Sequence, residues 1–147
     1  MTRKTEAAEG KKSYPRFLAS LNLMSISLVR SRFSGDRQQY FKNKAHQLSV
    51  SWTSKTSKRG EDFFDIGVDV AISLAVPKSD VTFFDLTASY LLHVHAPAPL
   101  NKVYIKRFSD SEVRLLVWPY VREYVSNISG RMHVPPIVLP LTGSDEA

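Results

Sequence analysis

"FFDIGVDVAISLAV", residues Phe63 to Val76, alternates without a break. Ile66, Val68, Val70, Ile72, Leu74 and Val76 share one face, and Asp65, Gly67, Asp69, Ala71, Ser73 and Ala75 share the other. A period of two over this length predicts a β-strand with one face on a core and the other small, polar and wet. Such a strand belongs in an antiparallel sheet, because parallel strands are buried on both faces and read as continuous apolar runs.

Working outward, Pro77-Lys78-Ser79-Asp80 predicts a tight reversal into a second strand, "VTFFDLTASYLLHVHA", in which Phe84, Leu86, Ala88, Tyr90, Leu92 and Val94 alternate. On the N-terminal side "LSVSW" alternates Leu48, Val50 and Trp52 against serines, and "TSKTSKRGED" reads as the turn that follows it. From Leu21 onward Met24, Ile26 and Leu28 oppose Ser25 and Ser27, which suits a half-buried first strand. The connection after it, "SGDRQQYFKNKAHQ", is long and carries Tyr40 and Phe41 among charges. Short gaps between the later strands favour antiparallel pairing in a meander. "APAPL" then breaks the ladder, and "KVYIKRF" reads as a short strand or extended piece.

The period changes at "SDSEVRLLVWPYVREYVSNISGR". Ser109 and Glu112 stand in capping-box register. Val113, Leu116, Tyr120, Tyr124 and Ile128 recur at spacings of three and four, an apolar and aromatic stripe for packing against the sheet or another subunit. Pro119 lacks an amide and presses on the carbonyl of Leu115, so a kink or restart is expected there. Gly130 is a natural residue to end the helix, with Arg131 beside the negative end of its dipole. Pro135, Pro136 and Pro140 keep the closing "VPPIVLPL" extended and out of any sheet interior. Strands first and helix last give an α+β fold class: a four-stranded antiparallel sheet packed with a C-terminal long helix.

The chain has 147 residues, 43% hydrophobic and 23% charged, enough for one domain with a real core. Residues 1–16 read as a basic leader without regular structure, 17–142 as a single domain and 143–147 as a short tail. A secretory signal is not supported: Ser20, Asn22, Ser25 and Ser27 interrupt the apolar part, and no small-x-small cleavage pattern follows. No apolar run reaches the ~20 residues of a membrane span. With no cysteine there is no disulfide or thiolate metal site, and a reducing, cytoplasmic location is the default.

The net charge of +6 permits attraction to nucleic acid without requiring it. Lysines and arginines gather in the leader and beside polar connections, and no phosphate loop, helix-turn-helix or RNP-type motif accompanies them. A basic nucleic-acid or scaffold-binding module is therefore the alternative to the leading reading. His93 and His95 share a strand face but lack a third ligand, so no metal is expected. No serine sits in a nucleophile elbow, and Asp65 and Asp69 are about 13 Å apart by strand rise, wide for paired-carboxylate catalysis. No enzyme activity and no cofactor are expected. What remains is apolar surplus: in the doublets Phe63-Phe64 and Phe83-Phe84 one ring must leave the core face, which points to oligomerisation or a binding groove.

Residues 118–141, "WPYVREYVSNISGRMHVPPIVLPL", resemble the SecB family of export chaperones. The resemblance lies in Pro119, Tyr120, Arg122 and Glu123, then Ser126 and Arg131, then Pro135, Pro136, Ile137 and Leu139. The "SGR" and "PP" are most like the solitary SecB-like chaperones, some of them associated with toxin–antitoxin systems. It implies a long crossover between the first two strands, a homotetramer built as a dimer of dimers, and nucleotide-independent holding of unfolded client polypeptides in hydrophobic grooves, for protein export among other tasks. By the same resemblance Tyr40 and Phe41 border the client groove, with Trp52, Phe63 and Phe84 as further aromatic candidates. Val113, Leu116, Tyr120, Tyr124 and Ile128 serve subunit or helix packing, and Asp65 and Asp69 take the place of the acidic residues that face the SecA translocase. A basic chain with only those two acids on its long strand, ending soon after Leu141 where the family has a second helix, does not favour SecA as a partner.

Overall fold

The computed structural model describes residues 13–140. The expected leader up to residue 12 and the expected tail lie outside them. The elements are α1 (13–20), β1 (Asn22–Gly35), α2 (Arg37–Lys42), β2 (Gln47–Arg59), β3 (Phe63–Ala75), β4 (Thr82–His95), α3 (Lys102–Asp110) and α4 (Glu112–Met132). The sheet runs β1-β4-β3-β2 and every pairing is antiparallel. β2, β3 and β4 form the expected meander, and β1 lies against β4, so the chain crosses from one edge to the other between β1 and β2.

The alternation that opened the sequence reading sets the core. Phe64, Ile66, Val68, Val70, Ile72 and Leu74 of β3 are buried beside Phe84, Leu86, Ala88, Tyr90, Leu92 and Val94 of β4, in the register Ile66–Leu92, Val68–Tyr90, Val70–Ala88 and Ile72–Leu86. α3 and α4 cover this face with Ile105, Phe108, Val113, Val117, Trp118, Val121 and Val125. At roughly 1.5–3 kcal/mol per fully buried large apolar side chain, this two-strand, two-helix contact dominates the stability.

Four local expectations are corrected. β2 continues through the Lys/Ser/Thr run to Arg59, because those residues pair with β3, with one irregularity at Ser57, and the Ser54 hydroxyl donates to the Ser109 carbonyl at 2.6 Å. Only Gly60-Glu61-Asp62 remain for the turn, closed by the Gly60 amide on the Phe63 carbonyl at 2.9 Å. A Cβ on Gly60 would come within 2.1 Å of the Phe63 ring, which would have to move aside. Second, residues 102–110 are helical, not extended: the Asn101 side chain accepts from the Val103 and Tyr104 amides, and Ile105, Phe108 and Ser109 form the buried face.

Third, the capping box does not form. Ser109 is buried in the last turn of α3, Ser111 is the N-cap of α4, and the Glu112 carboxylate instead accepts from the hydroxyls of Tyr14 and Ser111, both at 2.5 Å. α4 then runs unbroken through Pro119 and past Gly130 to Met132, where His133 takes the left-handed conformation (φ 54°). The His133 amide bonds to the Gly130 carbonyl and that of Val134 to the Ser129 carbonyl, the paired closure that usually employs glycine.

Fourth, the ordered body starts before Phe17. Tyr14 is buried, with the Arg107 guanidinium 4.0 Å from its ring centre, and Phe17 stacks on Phe64. Spaced three apart, these two rings share one helical face and cover the Tyr104 side of the core.

Candidate functional site

The five aromatic residues expected to meet a client do not form one surface. Tyr40 and Phe41 sit on α2 in the crossover, capped by Asp36, whose carboxylate accepts from the Gln39 amide. Tyr40 packs against His46 and Phe83 and donates to the Pro135 carbonyl at 3.4 Å. Phe41 is 53% exposed beneath the Arg37 guanidinium. Trp52 is half-buried on β2 between the Trp118 ring and the Arg114 guanidinium. Phe63 lies on the opposite face, against His93. Phe84 is buried in the core and is withdrawn from the candidates; Phe83 does not leave the core as its doublet implied, because the β3–β4 ladder skips it at a register shift, and it joins the same buried cluster beneath Tyr40 and His46.

The helix stripe is also shifted. The residues of α4 buried against the sheet are Val113, Val117, Trp118, Val121, Val125, Ile128 and Ser129. Val113 and Ile128 were expected among them; Leu116 and Tyr124 are half-buried, and Tyr120 is 47% exposed. Val113 and Ile128 of the expected stripe thus pack on the sheet, where valines carry most of the contact, and Leu116, Tyr120 and Tyr124 lie to one side of it.

The freed tyrosines turn toward β1. α4 stands off that strand and leaves a groove of about 360 Å³, lined by Ile26 and Leu28 of β1, Tyr90 of β4, and Tyr120, Glu123, Tyr124 and Asn127 of α4. The Tyr124 hydroxyl donates to Ser31 Oγ at 2.7 Å across its end. Burial, with lesser contributions from Tyr124 and Glu123, pushes the Tyr90 phenol up to about 12.

β1 itself carries the largest exposed apolar strip. Leu23, Leu28 and Phe33 face the helix side in register with Val94, Tyr90 and Leu86, while Met24 and Val29 fall at two ladder irregularities. All five are exposed, Val29 by 60%. The sequence signal was the pair of doublets Leu23-Met24 and Leu28-Val29, which break strict alternation as bulges do.

On the other face of the sheet Asp65 Oδ1 meets His93 Nδ1 at 2.5 Å, and Asp69 accepts from the Ser89 hydroxyl at 2.6 Å. His95 stacks edge-on to His93. Among the described residues no group of three His, Asp or Glu side chains could hold a metal, and no helix is long and apolar enough to cross a membrane.

No protein-family model and no curated protein sequence matches the chain. Among solved structures it is similar to the Mycobacterium tuberculosis Rv1957 SecB-like chaperone in complex with a ChAD peptide from the Rv1956 HigA1 antitoxin, with a TM-score of 0.73 at 13% identity, covering 90% of this chain and 98% of that one. A protein of unknown function from Streptococcus agalactiae is similar with a TM-score of 0.49 at 13% identity, covering 82% and 96%. The chain thus has the SecB-like fold, as the resemblance in its helix and closing segment implied.

Proposed function

We propose that the chain is an ATP-independent molecular chaperone that holds unfolded or precursor polypeptides in the cytoplasm. The observation that carries this reading is the exposed apolar strip of β1, continuous through Leu28 with the tyrosine-lined groove. Solitary exposed apolar residues are ordinary, but five on one unpaired edge strand form a binding surface. An unfolded polypeptide offers apolar side chains and unpaired backbone together, and an edge strand flanked by apolar residues accepts both. Holding then works by mass action: a client bound only when unfolded is kept from aggregating by the concentration of chaperone over its dissociation constant.

The fold supports the reading, since the Mycobacterium tuberculosis chaperone it resembles is itself bound to an antitoxin peptide. An antitoxin-like extended segment is accordingly a fitting client here, alongside export precursors. The homotetramer, a dimer of dimers, is part of the proposal. SecA is not: Asp65 is occupied by His93 and Asp69 by Ser89. Those two carboxylates and Asp85 on the face away from the helices also weigh against the nucleic-acid alternative.

The test is light scattering of a denatured, aggregation-prone client with the purified chain and no nucleotide. Suppression near one tetramer per client is expected; unchanged aggregation would remove the reading. A gel shift with steep salt dependence would favour the nucleic-acid module instead.

A further inference from the structure

We propose that the corner between the end of β2 and the start of α3 binds a small phosphate monoester, with its phosphate on Arg59 and Lys102 and its organic group on residues 98–100. The inference is independent of the chaperone reading. Two concave spaces meet at this corner and share those two cations. One, of about 320 Å³, is bordered by the hydroxyl residues Thr56 and Ser57 and closed by Ile105, which is buried. The other, of about 360 Å³, is walled by Ala98, Pro99 and Leu100, with Glu61 at its edge.

A break in the ladder aims the arginine. The β2–β3 register slips between Thr56 and Lys58, which makes Ser57 an extra residue. Thr56 pairs with Ile66 and Arg59 with Phe64, both in the core, so these two side chains stand on the helix side of the sheet. Lys58 pairs with Asp65 on the other face and holds its ammonium 5.9 Å from the centre of the Phe63 ring. Strict alternation would have turned Lys58 toward α3 and Arg59 away from it.

Among the described residues the ion pairs are His93–Asp65 and Lys106–Asp110, so neither Arg59 nor Lys102 is paired with a carboxylate, Glu61 included. Two cations bordering one space without a counter-charge repel each other and leave a positive potential in it. A phosphate answers that potential: the guanidinium donates two parallel hydrogen bonds to it and the ammonium a third. The first amides of α3 play no part, because the Asn101 side chain already accepts from those of Val103 and Tyr104. Phosphate alone would leave the apolar wall at Pro99 and Leu100 bare, and an apolar guest alone would leave the charges unanswered, so the guest carries both. Two charges at one corner suit a single phosphate rather than the row of them along a nucleic acid.

The experiment titrates phenyl phosphate, inorganic phosphate and phenol separately into the whole chain and reads the backbone amide shifts by NMR. Phenyl phosphate should move the Thr56, Arg59 and Lys102 amides to saturation. Inorganic phosphate should bind there about three-fold or more weakly, for want of the apolar contact, and phenol should not saturate. Arg59→Ala and Lys102→Ala should each weaken phenyl phosphate about ten-fold, the loss of a charge-assisted hydrogen bond. Both side chains are exposed, and a thermal melt confirms folding. Lys55→Ala, which removes an exposed cation on the other face of β2, should change nothing. Equal weakening by that variant would show diffuse attraction to the net charge of +6 and overturn the site. Absence of saturable shifts at the three amides overturns it too, and inorganic phosphate binding as tightly as phenyl phosphate overturns the organic guest. Adenosine monophosphate separates the two sources of a monoester: tighter binding than phenyl phosphate assigns the site to a nucleotide, weaker binding to a phosphorylated aromatic group. Client holding is read separately by light scattering, so either proposal can fail without the other.

Discussion

β1 and β2 are the two edges of one sheet and meet the same hazard, a row of unpaired backbone groups, in opposite ways. β2 turns serine, threonine and lysine outward at Ser49, Ser51, Thr53 and Lys55, and ends in Lys58 and Arg59. Its apolar residues Leu48, Val50 and Trp52 are half-buried against the helical layer. Charged and hydroxylated edges of this kind reject a neutral incoming strand. β1 leaves Leu23, Met24, Leu28, Val29 and Phe33 exposed, and no helix is laid over it. The difference is one of exposure: one edge is sealed by its charged and hydroxylated residues, and the other is the surface at which we propose that clients bind.

Replacing Leu28 and Val29 together by lysine gives β1 the chemistry of β2. Client binding should fall about 100-fold, near 3 kcal/mol for two large apolar contacts, while Ser51→Lys on β2 should leave it unchanged; fluorescence titration of one unfolded client reads both. Next in size is stability. Trp52→Ala should cost about 2–3 kcal/mol in urea unfolding, because the ring packs on Trp118. Phe33→Ala on β1 should cost about 1 kcal/mol, and equal losses would mean that the β1 residues are as enclosed as those of β2.

A smaller contrast sits in the hydroxyls. Ser54→Ala removes the bond that ties β2 to α3 and should cost about 1 kcal/mol, whereas Ser31→Ala removes only an exposed acceptor of Tyr124 and should cost a few tenths. The smallest effects are those of pH. Tyr90 and Tyr14 both have phenols raised from 10.0 to about 12, chiefly by burial and, for Tyr14, then by Glu112. A phenol raised on folding contributes stability that is complete below its unfolded value near 10, so stability should decline from pH 10 to about 12 and then level. Tyr90→Phe should remove one share of that decline. Glu112 is opposed by burial but held below its ordinary value by hydrogen bonds from Ser111 and Tyr14, so its contribution is present above the ordinary carboxylate range and lost as pH falls through its lowered value. Tyr14→Phe should diminish both limbs in a stability–pH profile.

Much of the fold was readable because its signals are local. The period of β3 and β4 follows from alternate burial and needs no distant residue, and their short turn forces antiparallel pairing. The fold likeness was readable from residues 118–141. The misread segments are those where two local signals compete. "KVYIKRF" alternates like a strand, yet Asn101 caps a helix there and burial of Ile105 with Phe108 decides the matter. Ser109 and Glu112 have capping-box spacing, but a helix boundary at Ser111 separates them.

The site was less readable, since it depends on what fails to be covered. Aromatic identity alone could not show that Phe84 is core, that Tyr120 is exposed, or that the groove opens on the β1 side of α4. By itself the sequence determined the antiparallel sheet, the helix that follows it and the absence of thiol chemistry, because spacing and residue type act within a few residues. Only the tertiary structure decided which edge stays open and which rings face solvent: one helical layer can cover β3 and β4 but not the whole sheet, and the apolar residues left over on β1 and α4 are exposed by geometry.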